Sequence, residues 1–177
     1  MTRAATIAMT EARYAEIKGH LIPARPKAEE AAFVYARFER GTFGFVDWYP
    51  VPTSEFVHRS VYHIELTDGC RARTIKRAHD LECSIIELHS HPHARVARFS
   101  GSDCWGFREY VPHVYWRLRS RPYAAVVVVP NGFDSLVWVS NPRLPNGTAD
   151  IVLAGKVLRP SGLTFEKGDC EHATPEI

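Results

Sequence analysis

The chain has no apolar run approaching the roughly 18–20 residues that a bilayer-crossing helix needs, so no segment is expected to span a membrane. It also lacks a strong charge bias. Its 22 lysines and arginines against 20 aspartates and glutamates leave a formal charge of +2, too mild to argue for nucleic acid as a partner. The local basic run Arg117, Arg119 and Arg121 reads as a solvated face. There is no Cys-x-x-Cys pair. The four cysteines, at 70, 83, 104 and 170, are scattered, and the first nine residues are too short and too soon charged for a secretory leader. The expectation is a cytoplasmic protein with all four thiols reduced. No repeat, linker or low-complexity stretch divides the 177 residues, which suits one domain over 1–160 and a loosely held tail over 161–177.

Strand and helix signals alternate without a regular βαβ rhythm, so the fold class is α/β, a mixed sheet flanked by helices. Residues 4–9 read as a strand, and Thr10 caps a helix with apolar positions at Ala12, Ala15, Ile17 and Leu21. Residues 30–38 and 42–50 form a hairpin about Gly41. Ser60–Leu66 reads as one strand, and Asp68 caps a basic helix over 70–81. A strand from Cys83 leads to His89, and a short helix follows Asp103. Past Pro112 lies a separate amphipathic segment, His113–Arg119. Tyr123–Val129 is uninterruptedly apolar, as a strand buried on both faces requires. Phe133–Ser140 and Ile151–Leu158 complete the set as single strands. Trp105, Phe107 and Trp116 are expected in the core.

The chemistry concentrates in His89-Ser90-His91-Pro92 and Ser100-Gly101-Ser102-Asp103. Strand alternation projects His89 and His91 from one side, and Pro92 ends the sheet ladder there. Asp103, at the start of the next helix, can return a carboxylate to the same point. Two imidazoles and a carboxylate with one position left open make the ligand pattern of catalytic zinc. Cys104 adjoins Asp103, but a helix points neighbouring residues in different directions.

These motifs resemble the signature of the JAMM (MPN+) zinc metalloproteases: an upstream glutamate, then His-x-His-Pro, then Ser-x-x-Asp. Glu29-Glu30-Ala31-Ala32-Phe33-Val34-Tyr35-Ala36 is similar to the family's glutamate strand, Glu-x-x-Gly-[Ile/Leu]-[Leu/Met]-x-Gly, with alanine in both glycine places. That register points to Glu29 rather than Glu30, and Pro52 falls where the family often has a proline. The resemblance covers about residues 5–160 by order of elements and implies a cytidine-deaminase-like domain of the MPN/JAB type. It implies Zn2+ held by His89, His91 and Asp103. Glu29 would take a proton from water and return it to the leaving amine, and Ser100 would hold the oxyanion.

The implied substrate is the amide bond after a ubiquitin-like protein or in its conjugate, with activating and conjugating enzymes of a bacterial defence operon as further partners. The rival readings are a peptidase acting on sulfur-carrier adducts, a catalytically silent MPN scaffold, and a DNA-associated relative sharing His-x-His-Pro. Two features depart from the family pattern. The gap from Pro92 to Phe99 is eight residues, one longer than usual. Glu87 shares the face of His89 and His91 where many relatives carry a bulky apolar residue, and it reads either as a hydrogen-bond partner of a ligand histidine or as a competing base. Ser100 also reads as a simple helix cap.

Overall fold

The computed structural model describes residues 5–172. The elements in chain order are β1 (Ala5–Met9), α1 (Glu11–Leu21), β2 (Ala31–Glu39), β3 (Thr42–Pro50), β4 (Phe56–Arg59), β5 (Ile64–Leu66), α2 (Asp68–Asp80) and β6 (Ser84–Ser90), followed by α3 (Gly101–Arg117), β7 (Tyr123–Val129), β8 (Gly132–Trp138), β9 (Ala149–Leu153), β10 (Lys156–Leu158) and α4 (Leu163–Glu166). Eight strands form one mixed sheet in the order β10-β9-β1-β3-β2-β6-β7-β8, while β4 and β5 pair separately. The α/β class read from the sequence is the class observed. Among the described residues no helix is long and apolar enough to cross a membrane.

Strand alternation splits the core into two layers. Ala32, Val34, Ile86, Leu88, Val126 and Val128 face α1 and bury Ile17 and Leu21. Their neighbours Phe33, Tyr35, Ile85, Tyr123, Ala125 and Val127 face the opposite side, against Cys70, Ile75 and Ala78 of α2 and Phe107, Val111 and Val114 of α3. The central β7 is buried along its whole length, which explains its lack of polar residues. The sheet also curls. Val137 on the outer strand bridges to Gly147, and the Ser135 hydroxyl both donates to the Ala149 carbonyl (3.0 Å) and accepts from the Ala149 amide (2.9 Å).

Several local expectations need correction. Thr67, not Asp68, caps α2, because its hydroxyl accepts the Cys70 amide at 3.1 Å. Residues 60–66 are not one strand. The Ser60 hydroxyl accepts the Tyr62 and His63 amides, making a turn between β4 and β5. Helix α3 runs through Pro112, since the stripe Cys104, Phe107, Val111, Val114 and Leu118 packs continuously and offsets the lost hydrogen bond. Ala154 and Gly155 both have positive φ, and this two-residue turn divides 151–158 into β9 and β10. Phe107 is buried as expected, but Trp116 is 72% exposed because it lies off the α3 stripe.

The largest correction concerns the C-terminal segment. It is anchored by the fully buried Asp134. Oδ1 of that residue accepts the Ser135 and Gly162 amides at 2.9 and 3.0 Å, and Oδ2 accepts the Thr164 amide at 3.1 Å and its hydroxyl at 2.6 Å. Cys170 is disulfide-bonded to Cys104, so only Cys70 and Cys83 remain free thiols, both buried. The reduced-thiol expectation fails for this pair because its partners stand 66 residues apart and only tertiary packing brings them together. The tail is held down as far as Cys170; residues 173–177, also part of that expectation, lie outside the described residues.

Asp134→Ala, which strands three amides in the interior, is expected to lower the unfolding free energy by about 3 kcal/mol in urea denaturation. Reducing the disulfide closing so long a loop, or replacing both cysteines by serine, should cost about 2–4 kcal/mol by the same measurement.

Candidate metal centre

Each element delivers its side chain for a local reason. β6 pairs antiparallel with β2 so that His89 stands opposite Ala31, and two residues beyond each partner come His91 and Glu29. The chain leaves the sheet at Pro92 and crosses to α3, whose first turn is closed by a capping box. The Ser100 hydroxyl accepts the Asp103 amide at 3.1 Å, and Asp103 Oδ2 accepts the Ser100 amide at 2.7 Å. That carboxylate oxygen lies 3.4 Å from both His89 Nε2 and His91 Nε2, which are themselves 3.3 Å apart. Three donor atoms converge, and they form a group that could hold a metal ion.

Glu29 is buried, with Oε1 3.7 Å from His91 Nε2. Glu30 faces away and pairs with Arg59. The pair of glutamates is thus divided by strand alternation, one toward the histidines and one toward a guanidinium. Sequence reasoning missed the residues that fix Glu29. Its amide donates to the Ser60 carbonyl at 2.8 Å, and its carbonyl accepts from Arg59 Nε at 3.1 Å. Ser90, between the two histidines and fully buried, accepts the Glu30 amide at 2.9 Å. Only the small hydroxyl residue inside His-x-His hinted at this bond, and nothing in the sequence singled out Arg59.

The loop from His91 to Ser100 is held by the C-terminal segment. The Phe99 amide donates to Thr164 Oγ1 at 3.0 Å, the Ser161 hydroxyl donates to the Ala97 carbonyl at 2.6 Å, and Arg98 makes a two-pronged pair with Asp169 at 2.7 and 2.8 Å. The disulfide of Cys104 pins the residue next to Asp103. Cys104 is therefore committed to Cys170. Glu87 does not bond a histidine; it accepts the hydroxyl of the buried Tyr123.

The electrostatics suit a cation. Burial would lower the pKa of His89, but the Asp103 carboxylate, then Glu29 and Glu87, outweigh it and hold it at about 9. Burial would raise Asp103, but His89 and His91 hold its carboxyl well below the usual range. Burial raises the Glu29 carboxyl, with His89 and His91 opposing. For the metal-free fold, the protonated His89–Asp103 pair is stabilising below the unfolded value of 6.5 and that stability is lost as pH rises through about 9. The lowered Asp103 contributes above 3.8 and loses that contribution as pH falls through its folded value.

A metal ion must displace the His89 proton to bind. Its affinity, followed by competition with a chromogenic chelator, should therefore rise by about tenfold per pH unit toward pH 9 and level off there. Proton release on binding, measured in weakly buffered solution, should follow the same curve.

No family model matches the chain, and no curated protein matches it. Among solved structures, the chain is similar to the solution structure of protein DSY2949 from Desulfitobacterium hafniense, a structural genomics target, with a TM-score of 0.55 and 16% identity. The alignment covers 97% of this chain and 100% of that one, so the likeness extends over the whole domain. At that identity it speaks for the fold alone.

Proposed function

We propose that this chain is a zinc-dependent amide hydrolase of the JAMM (MPN+) type, a cytidine-deaminase-like domain that cleaves after the C-terminus of a ubiquitin-like protein. The observation that carries the reading is the convergence of His89, His91 and Asp103 beside the buried Glu29. Zinc bonds of about 2.0–2.1 Å in a tetrahedron put ligand atoms about 3.3–3.4 Å apart. The three donors stand at 3.3, 3.4 and 3.4 Å, so the donor set fits zinc in size as well as in chemistry.

Bound there, zinc would acidify a water and polarise the amide carbonyl, which is the chemistry the three ligands are suited to support. Glu29 supplies the proton carrier: burial raises its pKa, which favours taking a proton from the water and giving it to the departing amine. Burial and the clamps from Ser60 and Arg59 fix its direction. Ser100 spends its oxygen lone pair on the Asp103 amide, and its hydroxyl hydrogen stays free for the carbonyl oxygen as negative charge develops. The cap and oxyanion roles are compatible on one side chain.

A modifier tail reaches such a site as an extended strand. The β4–β5 pair lies outside the main sheet, and β5 together with His63 before it lines the same cavity as His89 and Asp103. It is the strand edge at which a tail would add. A modifier with its conjugating enzymes would put the protein in the cytoplasm, although the Cys104–Cys170 disulfide removes the reduced-thiol argument for that compartment.

Glu29→Gln should keep its metal, measured by elemental analysis, and lose about 10²–10⁴ in turnover of a ubiquitin-like fusion. Cleavage that persists in chelator, or a zinc-replete Glu29→Gln with full activity, would overturn the assignment.

A further inference from the structure

Beside His89 and Asp103 opens a cavity of about 340 Å³. Ile64, Leu66, Trp105 and Phe107 give it apolar surface, and His63, Glu65 and Ser102 line it together with Glu87 and Tyr110. One polar group there is underused. Glu87 accepts one hydrogen bond, from Tyr123 to Oε2, and forms no ion pair among the described residues, whereas the half-buried Glu30 has Arg59 and Glu55 has Arg73. The Tyr110 hydroxyl is buried behind the cavity wall with the Arg71 guanidinium beside it, whereas Glu87 Oε1 takes no hydrogen bond among the described residues. Arg71 also lines the cavity, but its guanidinium lies over the Tyr110 ring, 4.5 Å from the centroid, and among the described residues it forms no ion pair with Glu87.

Glu87 is half-buried and offers a carboxylate oxygen with no ion-pair partner to the cavity, and a positively charged ligand entering there would pair with it. The distance fits. Glu87 and His89 are two residues apart on one strand face, about 6.6–6.8 Å. An extended lysine side chain of about 6 Å spans that interval when its backbone lies at the histidines.

We propose that this cavity is a specificity pocket for a positively charged substrate side chain, lysine- or arginine-like, next to the scissile amide, with Glu87 as its partner. The substrate context rests on the amide-hydrolase reading above; the binding chemistry of the pocket does not. The alkyl stem packs on Trp105 and Phe107, and the cationic head donates to Glu87 Oε1. Glu87 is here a specificity residue and takes no part in bond cleavage.

The test uses the zinc-loaded full chain in two arms. In the first, n-butylammonium and its neutral counterpart 1-butanol are titrated while the Trp105 indole resonance is followed. The cation should bind at least about tenfold more tightly than the alcohol, and Glu87→Gln, whose amide oxygen still accepts from Tyr123, should abolish the difference. In the second, a peptide library is digested. Wild type should favour lysine or arginine at one position flanking the cut, and Glu87→Gln should lose about tenfold in kcat/KM for those peptides alone, through KM, with zinc content unchanged. Equal binding of cation and alcohol by wild type overturns the proposal, as does cleavage without a basic preference. Cation binding that depends on Glu87 with no cleavage of any peptide upholds the pocket and overturns the hydrolase reading instead. The wild-type comparison of the two probes decides the binding question even if the variant does not fold.

Discussion

The site depends first on the register between β2 and β6. Antiparallel pairing of Ala31 with His89 carries Glu29, two residues before one, into line with His91, two residues after the other. A slip of one residue would turn Glu29 away and bring Glu30 toward the histidines. Two hydrogen bonds lock the choice at the strand ends: Ser90 Oγ takes the Glu30 amide, and the Ser90 amide donates to the Glu30 carbonyl at 3.0 Å. Arg59 then holds Glu30 on the far face. The middle residue of His-x-His is thus a fastener between the strand of ligands and the strand of the base.

The second constraint acts from the C-terminal end. Asp134 on the outer strand β8 organises residues 162–164, and Thr164 passes the contact to Phe99 in the loop before α3. Arg98–Asp169 and Cys104–Cys170 tie the same region again. The loop between His91 and Ser100 has no regular structure of its own, so its shape comes from these outside partners. Asp103 reaches the histidines because the helix start that carries it is pinned on both sides. A segment remote in sequence therefore sets the third ligand.

Much of this was legible in the sequence. The hairpin of β2 and β3, the buried β7 and the Thr10-capped α1 follow from periodicity and caps, and those signals are local. The triad could be proposed because β6 alternation and the position of Asp103 in a first turn are also local facts. Other features were not legible. The α3 stripe runs through Pro112 because packing outweighs one lost hydrogen bond, and no window of sequence reports that balance. The turn at Ala154-Gly155 was hidden by a run that looks continuous. Glu87 could be flagged as misplaced polarity, but its bond to Tyr123 and its place in the lining of a cavity depend on parallel pairing with β7.

By itself the sequence determined which residues have metal-binding chemistry, the faces on which alternation puts them, and the mixed α/β class, because each is set by residue type and short-range period. Only the tertiary structure decided that Arg59 holds Glu30 on the far face while Glu29 stands near His91, that Cys104 is joined to Cys170, and that residues 161–170 brace the ligand loop instead of trailing from it. Those outcomes rest on contacts between segments tens of residues apart. Their geometry is fixed by strand register and core packing, which no single stretch of chain contains.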